Sequence, residues 1–327
     1  MKRILLLAIT IGLSISATCA ADVPTPGADG PGPAWLTPAI QAPGVEHHVF
    51  DSDAIGAPVS YHIYLPEVYQ QEPDRRFPVL CWLHGTLGGL KGIRPLAKHF
   101  GDAMEQGLIP PMLIVFVNGR RALMWVDSKD GKTPVETMIL DELIPHIDAA
   151  FRTIAAPEGR IVEGFSSGGY GAMRFGLGHP DIFGAASSFS GGPLQREFTF
   201  APRVPESSRR WVLRKIYGDD HEYFTALSPW ELAAANAESL PDDFPLRVVI
   251  GGDDEMLAVN TKFDVHLTEL GIAHEFIILP DVGHDTRAVL QAMGEEGWEF
   301  YRRALQDVQP TDGGPGAKPL VSFSPRH

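Results

Sequence analysis

Apolar residues along the chain follow two alternating rhythms. Residues 77–83 (Phe-Pro-Val-Leu-Cys-Trp-Leu) and 112–117 (Met-Leu-Ile-Val-Phe-Val) are short, continuous apolar runs. Such runs suit strands buried on both faces of a parallel sheet. Further buried strands are predicted at 160–165, 184–189, 246–250 and 274–279. Residues 59–65 differ, because Val59, Tyr61, Ile63 and Leu65 alternate with Ser60, His62 and Tyr64. That period of two predicts a half-buried strand. From 137 to 151 the period becomes helical, with Met138, Leu140, Leu143, Ile144, Ile147 and Phe151 near one face. Helices are also predicted at 167–177, 258–270 and 287–304. Strand–helix alternation of this kind predicts an α/β fold with a mainly parallel sheet. The early strands, near His47 and Tyr61, have no helix between them and predict an antiparallel edge. Residues 193–243 lose the rhythm and mix aromatic with charged residues, as an insertion over one end of the sheet would.

The ends of the chain read differently. Lys2 and Arg3 precede a mainly apolar stretch at 4–15 and the small residues Ala17-Thr18-Cys19-Ala20. This predicts a signal peptide at 1–20 and export to the periplasm or the medium. The apolar stretch is shorter than the roughly 20 residues that a membrane-spanning helix needs, so no stable membrane insertion is expected. Ten prolines or glycines among residues 21–44 predict a tether. Residues 309–327 predict a flexible tail. What lies between, 45–308, is expected to be one catalytic domain.

Composition narrows the partners. A hydrophobic share of 44% is that of a globular protein, and a formal charge of −14 argues against nucleic acid and anionic membrane surfaces. Two cysteines cannot form a disulfide scaffold, and Cys81, inside an apolar run, reads as a small buried hydrophobe.

The chemistry concentrates at strand ends. Gly164-Phe165-Ser166-Ser167-Gly168 matches G-x-S-x-G, with a predicted strand before it and a helical stretch after it. That context makes it a nucleophile elbow with Ser166 at its tip. Serine needs a base, and in this arrangement the partners follow in the order serine, acid, histidine. Of the 12 histidines, only His284 follows Ser166 and lies in a loop just beyond a late buried strand. The acid is expected from the loop after the preceding strand, where Asp254 is preferred over Asp253. The acid must point into the site to orient the imidazole. Two backbone N–H groups are expected to hold an oxyanion, those of Ser167 and of Thr86 in the loop His84-Gly85-Thr86-Leu87-Gly88-Gly89. His84 itself reads as a hydrogen-bonding group of that loop. Trp125, Trp211, Tyr223 and Trp230 are candidates to line a substrate pocket. His47 and His48 point to opposite faces of a strand, and Asp219-Asp220-His221-Glu222 reads as a solvated turn, so no metal site is expected.

The stretch from Gly164 through His179-Pro180-Asp181-Ile182-Phe183-Gly184 to Ser190-Gly191-Gly192 resembles the esterase D-like family of α/β-hydrolases. That family includes feruloyl and acetyl-xylan esterases, S-formylglutathione hydrolases, enterochelin esterases and mycolyltransferases. The resemblance extends to Leu83-His84-Gly85, Glu142-Leu143-Ile144-Pro145 and Gly283-His284-Asp285. It implies an α/β-hydrolase fold, with helices on both faces of the sheet, and maps the family's nucleophile, acid and base onto Ser166, Asp254 and His284. Members often have methionine where this chain has Ser167 and tryptophan where it has Thr286. The expected function is a secreted serine carboxylic-ester hydrolase working through an acyl-enzyme. The expected substrate is a small-molecule or carbohydrate-linked ester, and no cofactor is needed. An acyltransferase on the same triad and a non-catalytic binding protein on the same fold are the alternatives.

Overall fold

The apolar runs of the sequence become neighbouring strands of one sheet. The computed structural model describes residues 35–121, 124–198, 204–306 and 308, so the signal peptide expected at 1–20 and the tail expected at 309–327 lie outside the described residues. Strands β1 (Val45–Ser52) and β2 (Ala57–Tyr64) form an antiparallel hairpin. They are followed by β3 (Val79–Leu83), β4 (Leu113–Phe116), β5 (Arg160–Phe165), β6 (Ala185–Phe189), β7 (Leu246–Gly251) and β8 (Glu275–Leu279). The order across the sheet is β1-β2-β4-β3-β5-β6-β7-β8, with β2 antiparallel to β4 and every later pairing parallel. Together with its covering helices this is an α/β-hydrolase fold.

Side-chain alternation feeds two cores. Val79, Cys81 and Leu83 of β3 join Leu113, Val115, Val162 and Val248 on one face. Leu80 and Trp82 join Ile114, Phe116, Ile161 and Val249 on the other. Because both faces are covered, β3 and β4 need no polar positions. Cys81 is buried, and burial pushes its thiol up to about 12.

Several elements depart from the expectations for physical reasons. The helix Leu90–Glu105 covers the second core with Ile93, Leu96, Ala97, Phe100 and Met104; Pro95 inside it masks that apolar face in the sequence. The helix expected over 137–151 has a π turn at Met138–Leu143 before continuing as Ile144–Ala150. Pro145 has no N–H to return to the carbonyl four residues earlier, and the ladder widens there. The helix expected over 287–304 breaks at Gly294, which adopts φ +54°, into Thr286–Met293, a 3₁₀ turn and Glu299–Ala304. β8, expected to be buried, is the sheet edge, and Ile278 is 48% exposed there.

The insertion at 193–243 contains the helices Glu206–Tyr217, His221–Ala226 and Pro229–Asn236. Buried Arg174 holds it down, donating to Leu227 O (2.6 Å), Trp125 O (2.7 Å) and Glu136 (3.0 Å). Asp220 caps the second helix through the N–H groups of Glu222 and Tyr223 and pairs with Lys129, so the acidic turn at 219–222 is structural.

The tether expected to run to residue 44 docks from residue 35 onward. Trp35 is buried, its carbonyl accepts from Ser60 N–H, and Thr37 N–H donates to Ser60 Oγ. Ile40 N–H donates to His62 Nε2 at 3.2 Å. This strap covers the second face of β2, which is therefore buried on both sides and not half-buried.

Two buried charges meet behind the middle of the sheet. Arg247 on β7 donates to Glu163 on β5 (3.0 Å), to Ser187 Oγ (3.0 Å) and to Gly297 O (2.9 Å), and Tyr301 donates to Glu163 at 2.9 Å. Its guanidinium also lies 4.1 Å from the Phe300 ring centroid. Removing one partner strands the other's charge without water. Arg247→Ala is therefore expected to lower unfolding free energy by about 3–5 kcal/mol, whereas Arg247→Met with Glu163→Leu costs less, as read from urea midpoints.

A second prediction concerns the strap. Burial, reinforced by neighbouring His47, pushes His62 down to about 4. A base whose folded pKa is depressed contributes stability above its unfolded value, and that stability is lost as pH falls from about 6.5 toward 4. Protonation also removes the lone pair that holds Ile40. Amide exchange at Ile40 and Thr37, corrected for intrinsic rates, should thus accelerate between pH 7.5 and 5 more than exchange in β3 or β5.

Candidate active site

The elbow is built from contacts too close for side chains. A Cβ on Gly164 would stand 2.5 Å from the Gly168 backbone, and one on Gly168 would stand 1.9 Å from Leu83 O at the end of β3. Glycine at both positions lets β5 turn directly into the helix Ser167–Gly178. Ser166, between them, adopts φ 59°, ψ −120°, a conformation that costs a non-glycine residue on the order of 1–3 kcal/mol. Hydrogen bonds on both sides hold it there: its N–H donates to Phe189 O (2.9 Å), and its carbonyl accepts from Gly192 N–H (3.1 Å). Ser167 is buried at the first position of the helix, where backbone N–H groups lack helical partners.

Asp254 and His284 lie in the loops after β7 and β8. These loops are tied together, since Gly252 N–H donates to Leu279 O (2.7 Å) and Asp253 N–H to Val282 O (3.0 Å). The result brings three side chains into one chain of hydrogen bonds. His284 Nδ1–H donates to Asp254 Oδ2 at 2.8 Å, and Ser166 Oγ–H donates to His284 Nε2 at 3.0 Å. Asp253 points to solvent, and the neighbouring Asp254 side chain is fully buried. Burial works against the charge on Asp254, but the hydrogen bond and charge of His284 and the N–H of Met256 (2.9 Å) outweigh it, holding the carboxyl below its ordinary value.

The loop after β3 passes over Ser166. A Cβ on Gly85 would stand 3.3 Å from Ser166 Cβ, and a turn closed by Gly88 N–H to Gly85 O (3.0 Å) carries Thr86. His84 Nδ1–H donates to Gly85 O at 2.8 Å. Burial pushes His84 down to about 4, so it stays neutral and acts as a donor within the loop.

The aromatic candidates are dispersed. Trp125 is buried beneath the site, 4.9 Å from the His84 ring and packed against Gly119 and Gly171, so it supports the loop and the elbow helix from inside. Trp230 stacks on His266 at 3.9 Å along a shallow groove of the helix Leu257–Glu269. Tyr223 donates to Asp127 O (3.3 Å) under Lys129, and Trp211 packs against the first core. None of the four makes a hydrogen bond or ring contact with Ser166, Asp254 or His284 among the described residues. Phe165 instead packs on His284, with ring centroids 4.7 Å apart. Phe165 occupies the unspecified position of G-x-S-x-G, which carries no signal of this contact in the sequence. Among the described residues no group of three or more His, Cys, Asp or Glu is arranged to hold a metal ion, and no helix is long and apolar enough to cross a membrane.

Ser166, His284 and Asp254 in hydrogen-bonded series beside a helix N-terminus form an arrangement suited to acyl transfer. Comparison with known proteins agrees. The Esterase family model matches residues 52–269. Esterases from two strains of Mycobacterium tuberculosis are 34% identical over 169 residues, 48% of this chain and 34% of theirs. An endo-1,4-beta-xylanase/feruloyl esterase of Xylanibacter ruminicola is 30% identical over 173 residues, 49% of this chain and 23% of its own. The chain thus spans about a third or less of the length of these curated relatives. Among solved structures, a ferulic acid esterase superposes with a TM-score of 0.65 at 21% identity, covering 80% of this chain and 98% of that one. An S-formylglutathione hydrolase from Agrobacterium tumefaciens does so with a TM-score of 0.65 at 16% identity, covering 81% and 98%. With the fold shared and the family model spanning about two thirds of its 327 residues, the chain belongs to the Esterase family.

Proposed function

We propose that this protein is a serine carboxylic-ester hydrolase whose triad is Ser166, His284 and Asp254. The observation that carries the reading is the unbroken series Ser166 Oγ–His284 Nε2 (3.0 Å) and His284 Nδ1–Asp254 (2.8 Å) at a strained elbow. Ser166 Oγ attacks the ester carbonyl carbon while its proton passes to His284 Nε2. The tetrahedral oxyanion is held by the backbone N–H groups of Ser167 and Thr86. Collapse breaks the ester C–O bond, and the imidazolium returns the proton to the departing alkoxide, leaving an acyl-enzyme. Water, deprotonated by the same nitrogen, then releases the acid. Asp254 stays ionised, keeps the proton on Nδ1 and stabilises the imidazolium. Burial lowers the basicity of His84, and its ring is engaged with Gly85 O, so it is no rival base.

Substrates are small or carbohydrate-linked carboxylic esters. The feruloyl esterase in the name of one relative makes aryl esters the first class to test. The leader-like residues 1–20 support export to the periplasm or the medium, with residues 45–308 as the catalytic unit.

The triad predicts specific losses. Ser166→Ala should abolish both p-nitrophenyl acetate hydrolysis and labelling by a fluorophosphonate probe; undiminished turnover overturns the reading. Asp254→Asn should reduce kcat by about 10⁴-fold, as expected when the imidazole is left in the wrong tautomer. Asp253→Asn, altering a solvent-facing side chain, should change kcat less than about twofold. The product assay also separates hydrolysis from transfer: an ester hydrolase forms free acid at the same rate with and without an added alcohol, and an acyltransferase diverts the acyl group to the alcohol.

A further inference from the structure

We propose that Asn260 is a positioning residue that braces the nucleophile and the acid of the triad against each other, by a route that bypasses His284. The inference rests on the triad reading above. Asn260 lies in the first turn of the helix Leu257–Glu269 and is fully buried. Its Nδ2 amide donates to Gly191 O at 2.8 Å and to Met256 O at 2.9 Å. Both neighbours are carbonyl oxygens, so the side chain must present its NH₂ group, and its orientation is not interchangeable.

The two acceptors belong to the two halves of the triad. Gly191 O and Gly192 N–H share one planar peptide unit, and Gly192 N–H is one of two donors, with Tyr170 N–H, that hold Ser166 O at 3.1 Å. Asn260 therefore grips one edge of the peptide whose other edge grips the nucleophile. On the acid side, Met256 N–H donates to Asp254 Oδ1 at 2.9 Å, and Asn260 fixes the carbonyl of the same residue. A hydrogen bond to a peptide's carbonyl also polarises its N–H, so the brace strengthens the grip on Ser166 as well as orienting it. An aliphatic side chain of equal size would fill the site without the cost of burying an amide. It would lose the bond to Gly191 O and leave Met256 O to the backbone N–H of residue 260 alone (3.1 Å).

Catalysis is sensitive to such placement, since displacing reacting groups by about 1 Å costs up to about 100-fold. Three variants test the brace in the full chain, with kcat expressed per fluorophosphonate-labelled site so that only folded molecules count. Asn260→Leu should lower kcat on p-nitrophenyl acetate by about 10- to 100-fold while KM stays within about twofold. Asn260→Ser, which keeps one donor and adds no volume, should recover part of that loss. Asn260→Asp is the decisive case. Ionised, it offers two carbonyls only acceptors; protonated, it offers one O–H. Its kcat relative to wild type should rise as pH falls from 8 to 5.5. A purely structural role predicts a ratio that does not move with pH. A flat ratio, or wild-type kcat in Asn260→Leu or Asn260→Ser, overturns the brace. Inactive Ser166→Ala alongside such a result leaves the triad standing, whereas active Ser166→Ala removes the triad reading itself.

Discussion

The catalytic end of the sheet depends on how closely three backbone segments approach one another where β3 ends. Leu83 O occupies the space that any side chain on Gly168 would need, at 1.9 Å from its Cβ position. β3 and β5 pair in parallel up to Leu83 and Gly164, so the register itself sets the elbow against the end of β3. The chain can then leave β5, pass through Ser166 at positive φ and enter a helix within a few residues. The same approach lays the His84–Gly89 loop over the nucleophile. One steric condition thus places Ser166, a helix N-terminus and the candidate oxyanion donors together.

The other half of the site hangs from the sheet in the same manner. β7 and β8 pair as far as Gly251 and Leu279, and the loops beyond them remain joined by backbone hydrogen bonds. A Cβ on Gly251 would meet Val282 O at 2.0 Å. Asp254 and His284 therefore do not rely on flexible loops to find each other. Buried ions stiffen the frame behind them: Arg247 joins β7 to Glu163 on β5, and Arg174 joins the elbow helix to Trp125 and the insertion. Strain at Ser166 persists because the surroundings over-determine it.

Legibility in the sequence tracked how local the signal was. Continuous apolar runs marked the central strands because both faces of the sheet are covered, and glycine spacing marked the elbow because backbone approach forbids side chains there. The acid loop offered Asp253 and Asp254 side by side, and only the turn after β7 sends one outward and the other onto His284. The helix Leu90–Glu105 was hidden by Pro95, although its apolar face has the helical period. Residue type alone marks Trp125, Trp211, Tyr223 and Trp230 as pocket candidates in the sequence. Packing instead buries Trp125 beneath the loop and sends Trp230 to a separate groove.

By itself, the sequence determined the alternation of strands and helices, the elbow around Ser166 and the order Ser166, Asp254, His284 along the chain. All of these depend on short-range rules: hydrophobic period, backbone freedom at glycine, and loop position after a strand. Tertiary structure alone decided that residues 35–44 strap β2, that β8 is the exposed edge, and that Arg247 finds Glu163 across β6. It alone also decided that Asn260 reaches both Gly191 and Met256. Apart from the Asn260–Met256 bond, which spans one helical turn, these features join or expose residues through partners distant in sequence, chosen by sheet order and by the need of buried polar groups for hydrogen bonds, and neither is written in any local pattern.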